Sequence, residues 1–78
     1  MFDNVDIKKF TRRFYEIYGE LYDSGFSDFG ETNRMFDTLC KFSPERRFIQ
    51  RFNEERQDFI SSDREVCAFI RALLELAV

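Results

Sequence analysis

The hydrophobic positions in the first third of the chain recur at spacings of three and four residues. From about Asn4 to Tyr22 they fall on one stripe of a helix with about 100° per residue. The stripe consists of Ile7, Phe10, Phe14, Ile17 and Leu21. Asp3 or Asn4 is predicted to cap the start, because short polar side chains accept hydrogen bonds from free backbone N–H groups. Gly25 is predicted to end the helix in the left-handed conformation.

The next segment, Gly25 to Thr32, has neither a helical nor a strand period and is predicted to be a loop. A short second helix is predicted from Asn33 to about Phe42, with Thr32 or Asn33 as its cap. The apolar residues expected to face inward from this helix are Met35, Phe36, Leu39 and Cys40.

A third helix is predicted from Pro44 to Ile60, because Ser43 suits an N-cap and proline is well tolerated in the first turn. Its apolar arc holds Phe48, Ile49, Phe52, Phe59 and Ile60. Arg56 falls near the centre of that arc. We expect its stem to lie on the core and its guanidinium to reach water. A partner-contact site and a buried ion pair are the alternatives.

The fourth helix is predicted to begin in the segment "SSDRE", since Ser62 and Glu65 have the spacing of a capping box. It is expected to run nearly to Val78 and to occupy the centre of the bundle. Its wide apolar face contains Val66, Phe69, Ile70, Leu73, Leu74, Leu76 and Ala77. The pattern therefore predicts an all-α fold, a small bundle of four helices in one domain spanning residues 1–78.

Aromatic residues are unusually frequent for such a short chain, with 11 Phe and 3 Tyr among 78 residues. A domain of this size has little interior, so some rings are expected near the surface, where they favour an interface. Cys40 and Cys67 are predicted to be small core residues rather than a disulfide. With no histidine in the chain, a zinc site of cysteine and histidine ligands is not expected.

The charge balance argues against a dedicated nucleic-acid binder or a DNA mimic, because 12 basic and 15 acidic residues give a net charge of −3. No apolar run approaches the length of a membrane span, and the first residues do not resemble a signal peptide. A cytoplasmic protein without membrane contact is therefore expected.

The chain lacks the usual groups of nucleophilic catalysis. It has no histidine to activate a serine or cysteine, and no glycine-rich loop to bind an oxyanion or a phosphate. We predict neither an enzyme nor a bound cofactor or metal.

Nucleic-acid binding is the alternative function considered. The doublets Lys8–Lys9 and Arg12–Arg13 lie opposite the apolar stripe of the first helix, where a solvated face is the simpler interpretation. The second and third helices resemble a helix-turn-helix in outline, although their turn lacks the usual glycine. The basic residues that could contact phosphates in this alternative are Lys8, Lys9, Arg12, Arg13, Arg46, Arg47 and Arg51.

Protein binding is the leading hypothesis. Tyr15, Tyr18 and Tyr22 recur at i, i+3 and i+7 along one edge of the first helix, and this edge leads to Phe26 and Phe29. Tyrosine is common at interfaces because it offers a large, stiff ring with a polar tip. Together with Arg56, these residues form the predicted contact site for another protein, and a second copy of the chain is among the candidates. Small modules of this kind include virus- or phage-encoded inhibitors of host machinery.

Overall fold

The computed structural model describes residues 2–76, which fold into an all-α bundle of four helices. The helices are α1 (Ile7–Ser24), α2 (Gly30–Leu39), α3 (Ser43–Arg56) and α4 (Asp63–Leu76), and one turn of 3-10 helix (Phe2–Asn4) precedes them. This confirms the predicted fold class and the short second helix. Ala77 and Val78, which the sequence assigned to the last helix, lie outside the described residues.

The first helix is capped by a residue other than the two predicted. Asp6 is the N-cap, and its carboxylate accepts hydrogen bonds from the backbone N–H groups of Lys8 and Lys9 at 3.1 and 3.2 Å. Asn4 ends the preceding 3-10 turn instead of opening α1. The predicted C-cap is confirmed, because Gly25 adopts the left-handed conformation with φ of 71°.

The second and third helices are shifted relative to the sequence prediction. Phe29 is the N-cap of α2, so the connecting loop is shorter than expected and neither Thr32 nor Asn33 caps the helix. The third helix has Phe42 as its N-cap, one residue before the predicted Ser43. It ends at Arg56 rather than Ile60, because Gln57 turns into the left-handed conformation with φ of 57°.

The fourth helix begins as predicted. The Ser62 hydroxyl accepts a hydrogen bond from the Glu65 backbone N–H, and the Glu65 carboxylate accepts from that hydroxyl and from the Ser61 backbone N–H. These contacts satisfy donors that would otherwise be free at the start of the helix.

The core forms where α1 and α4 cross, and α2 and α3 cover it from two sides. The buried apolar residues are Phe10, Phe14, Ile17, Leu21, Phe48, Phe52, Cys67, Ala68, Phe69, Ile70 and Ala72. All predicted stripe residues of α1 except the half-buried Ile7 are among them. The predicted face of α4 is partly wrong, because Leu74 and Leu76 are half exposed, whereas Cys67, Ala68 and Ala72 are buried.

Candidate protein-binding surface

Three tyrosines lie along one flank of the buried stripe of α1, as their spacing predicts. Tyr15 is 52 % exposed and Tyr22 is 64 % exposed, while Tyr18 is half-buried between them. Tyr15 and Tyr18 also pack against the buried Phe14, with ring centroids 5.2 and 6.3 Å apart. The flank therefore presents two open aromatic rings on a support that is fixed by the core.

The two phenylalanines after α1 are less exposed than a loop without periodicity suggests. The N–H of Phe26 donates to the carbonyl of Leu21, and the N–H of Gly25 donates to that of Tyr22, both at 3.2 Å. This pattern is a Schellman motif, which brings the residue after the glycine back against the helix. Phe26 is consequently half-buried and meets Phe29 edge to face at 5.4 Å. Both rings therefore pack against the core rather than projecting freely from the loop.

Arg56 does not raise its guanidinium into water, so the first interpretation of this residue was wrong. Its side chain is only 3 % exposed and pairs with Glu65 at 2.5 Å, and Glu65 itself is 14 % exposed. Its Nε also donates to the hydroxyl oxygen of Tyr15 at 3.3 Å. Arg56 therefore forms a buried ion pair, which was one of the two alternatives to the expected solvent-exposed guanidinium. The same guanidinium also contacts the ring and the hydroxyl group of Tyr15.

The pKa of Glu65 reflects two opposing effects. Burial disfavours the charged carboxylate, but hydrogen bonds from Arg56, Ser62 and Ser61 stabilise it more strongly, so the pKa of Glu65 lies below its ordinary value. The pair thus remains ionised at neutral pH.

Two arginines of α4 join this surface, and the sequence prediction missed both. The guanidinium of Arg64 lies over the rings of Tyr18 and Tyr22, at 6.0 and 5.1 Å from their centroids. That of Arg71 lies 4.9 Å from the centroid of Phe26. Their spacing of seven residues places them on one side of α4. The spacing was visible in the sequence, but it could not reveal which helix lies opposite.

Two of the four basic residues on the outer face of α1 are engaged within the molecule. Arg13 makes a two-point contact with the Glu75 carboxylate at 2.7 and 2.8 Å, and Lys8 pairs with Glu55 at 3.1 Å.

These contacts also show the relative direction of α1 and α4. The contact between Arg13 and Glu75 joins the first half of α1 to the end of α4, whereas Arg64 near the start of α4 lies beside Tyr22 near the end of α1. The two helices are therefore antiparallel.

The basic residues of α3 are divided between the interior and the surface. Arg51 donates to the backbone carbonyls of Phe2 and Val5, at 3.1 and 3.4 Å, and so fastens the 3-10 turn to α3. Arg46 and Arg47 are exposed, as are Lys9 and Arg12 on α1, and these four make no ion pair within residues 2–76. Three of the seven cations proposed for phosphate contact are thus already occupied, which weakens the nucleic-acid alternative.

An apolar groove lies on another part of the molecule. Its volume is about 480 Å³, and it is lined by Phe2, Val5, Met35, Thr38, Leu39, Ile70, Leu73, Leu74 and Leu76. A neighbouring pocket that shares Val5 and Leu76 with the groove carries Asp6, Lys9, Arg13 and Glu75, whose charges balance one another. Charge therefore favours no particular occupant for this groove.

The cysteines do not form a disulfide, and Cys67 is buried while Cys40 is half-buried. Burial, together with the nearby Asp37 carboxylate, raises the pKa of the Cys40 thiol and so disfavours the reactive thiolate. Among residues 2–76, no three His, Cys, Asp or Glu side chains gather closely enough to hold a metal ion.

The fold and this surface define the chain as a small four-helix protein with an aromatic and arginine-rich flank. Comparisons with protein-family models, with curated proteins and with solved structures find no match. In the part of the chain that the structure describes, no helix has both the length and the apolar character needed to cross a membrane.

Proposed function

We propose that the chain is a small protein-binding module that acts stoichiometrically by occupying a surface of another protein. The supporting observation is the tyrosine flank. Tyr15 and Tyr22 remain more than half exposed, although Tyr15 packs against the buried Phe14 and Tyr22 lies against Arg64. Rigid aromatic side chains lose little conformational entropy on binding, so they are well suited to act as interface anchors.

The proposal includes inhibition of a larger assembly, such as a virus- or phage-encoded protein acting on host machinery. Since the chain has no histidine and no glycine-rich loop, occupation of a surface is the direct way in which we propose that it acts. A second copy of the chain remains a candidate partner, and sedimentation of the purified protein over a range of concentrations would reveal self-association.

The test is capture of a partner from cell extract by the wild-type chain and by the Tyr15→Ala and Tyr22→Ala variants. Central aromatic anchors typically cost about 2 kcal/mol or more in binding when truncated, which corresponds to a loss of affinity of roughly thirtyfold. We expect each variant to lose most of its capture. Tyr22→Ala should keep the wild-type melting temperature, because its ring is 64 % exposed, whereas Tyr15→Ala should lower it, because that side chain also contacts Phe14 and the Arg56 guanidinium.

Phe42→Ala is the matched control, since Phe42 is also an exposed aromatic ring but lies at the turn between α2 and α3. It should capture the partner as well as the wild-type chain does. Undiminished capture by the Tyr15→Ala/Tyr22→Ala double variant would rule out this surface. Capture that disappears after nuclease treatment would favour the nucleic-acid alternative instead.

A further inference from the structure

Arg64 and Arg71 differ from the two arginines of the molecule that form ion pairs within residues 2–76. Arg13 and Arg56 each contact a carboxylate, whereas Arg64 and Arg71 have no ion-pair partner within residues 2–76. Both guanidinium groups instead lie over aromatic rings of the candidate surface. Two cations without counter-ions therefore lie on the surface that also carries the exposed rings.

The surroundings of Arg64 leave part of its hydrogen-bonding capacity unused. Its Nε is buried and meets no acceptor among the described residues. The neighbouring carboxylate of Asp63 already accepts a hydrogen bond from the side-chain amide of Asn33 at 3.1 Å. Because the Nε is enclosed, an incoming acceptor would contact the terminal N–H groups of Arg64 instead.

The aromatic rings also restrict the position of each guanidinium group. A planar guanidinium that lies over a ring uses its face for that contact and keeps its N–H donors at the edge. These donors match the two oxygens of a carboxylate, which can bind them in a two-point contact. The rings hold the arginine in place before the partner arrives, so less conformational entropy is lost on binding.

On this basis we propose that the partner of the tyrosine flank is a protein segment that presents Asp or Glu side chains to Arg64 and Arg71, beside apolar side chains that cover Tyr22. This inference rests on the proposed function and specifies the partner's chemistry. A polyanion such as single-stranded nucleic acid fits less well. The net charge of −3 repels a uniformly charged polyanion, whereas a protein segment can confine its acidic side chains to the two arginines.

Selection from a library of random displayed peptides tests the inference without knowledge of the natural partner. With the wild-type chain as target, we expect the selected peptides to be enriched in Asp and Glu next to apolar residues. Arg64→Gln should lower the affinity of the protein for a selected peptide about tenfold, because charge-assisted hydrogen bonds are stronger than neutral ones. Fluorescence anisotropy of the labelled peptide measures this affinity. The affinity of wild-type protein for that peptide should also fall with added salt.

A charge reversal gives the sharper result. Selection against Arg64→Glu should shift the enrichment toward Lys and Arg, whereas Lys41→Glu, which changes the net charge equally on an exposed turn, should not. Melting curves of both variants show whether the fold is retained.

Peptides whose binding requires Tyr22 but that carry no excess of acidic residues would overturn this inference and leave the proposed function standing. If none of the selected peptides requires Tyr22 for binding, the inference and the proposed function are both overturned. Tighter binding of random single-stranded DNA than of any selected peptide, with dependence on Arg64, would overturn the inference in favour of a nucleic-acid ligand.

Discussion

The guanidinium of Arg56 lies within a group of aromatic rings, at 4.9 Å from the centroid of Phe14, 5.1 Å from Phe52 and 5.7 Å from Tyr15. A charge in such a place is tolerated because Glu65 neutralises it and the ring faces attract the cation. At the scale of single residues, this pair links α3 to the start of α4 and supports a tyrosine of the binding surface.

Removal of one partner from this pair should be costly. Arg56→Met preserves much of the side-chain volume but leaves the Glu65 carboxylate without its main counter-ion, so we expect a loss of about 3 kcal/mol in the free energy of unfolding. Urea unfolding at pH 7 measures the effect. Arg12→Met, at an exposed position of α1, is the control and should change stability by less than about 0.5 kcal/mol. Equal effects of the two substitutions would contradict the buried pair.

The same variant should alter the acid side of the stability profile. Because the pKa of Glu65 is lowered in the folded state, its stabilising contribution is present above the ordinary value of 4.5. It is lost as the pH falls through the lower pKa of the folded protein. In Arg56→Met, burial of Glu65 persists without the arginine, so the decline in stability below pH 4.5 should be smaller. Parallel profiles for both proteins would argue against this coupling.

At the scale of helices, the largest differences from the sequence prediction occur at the termini. Asn4 and Asp6 could each cap the start of α1. Asp6 is the N-cap, because Asn4 belongs to the 3-10 turn that Arg51 holds against α3. The end of α3 depends on Gln57, a residue type with no strong preference for the left-handed conformation. The start of α1 therefore depends on a contact that lies outside the helix itself.

The position of the cap can be tested directly. Asp6→Ala removes the acceptor for two backbone N–H groups and should lower the free energy of unfolding by about 1 kcal/mol. Asn4→Ala, at one of the two residues that the sequence suggested as the cap, should leave it within about 0.5 kcal/mol of the wild-type value. Thermal unfolding followed by circular dichroism compares the two. A larger effect for Asn4→Ala would place the functional cap where the sequence first suggested.

At the scale of the whole molecule, the core is an aromatic cluster around Phe69. Its ring lies 5.3 Å from those of Phe10 and Phe52, 5.7 Å from Phe36 and 5.9 Å from Phe48, so it contacts side chains from the three other helices. Most of these pairs meet edge to face, an arrangement that adds to the hydrophobic contribution. One residue of α4 therefore connects the entire bundle.

Truncation within α4 should depend strongly on position. Phe69→Ala should cost about 3–5 kcal/mol, which can be most of the stability of so small a domain. Leu73→Ala should cost only about 1–2 kcal/mol, because Leu73 is half-buried and borders the apolar groove. This loss of stability is smaller than the loss expected for a leucine that is fully buried at the centre of the bundle. Urea unfolding of both variants provides the comparison, and equal losses would refute the central role of Phe69.

The sequence by itself determined the local features of this protein. The spacing of Phe10, Phe14 and Ile17 fixed the buried face of α1, Gly25 fixed its end, and the pair Ser62 and Glu65 fixed the start of α4. Each of these features depends on residues within about one or two helical turns, where periodicity and capping chemistry are sufficient.

Only the tertiary structure decided which side chains meet across the bundle. Periodicity shows that a helix has an apolar face, but it does not show which helix covers that face or at what angle. The pairing of Arg56 with Glu65 and the stacking of Arg64 on Tyr22 both depend on that crossing. Phe26 is half-buried for two reasons: the Schellman motif turns it back against α1, and Arg71 of α4 lies over its ring. The candidate surface was therefore visible in the sequence as three tyrosines, while its arginines became apparent only when α4 was placed beside α1.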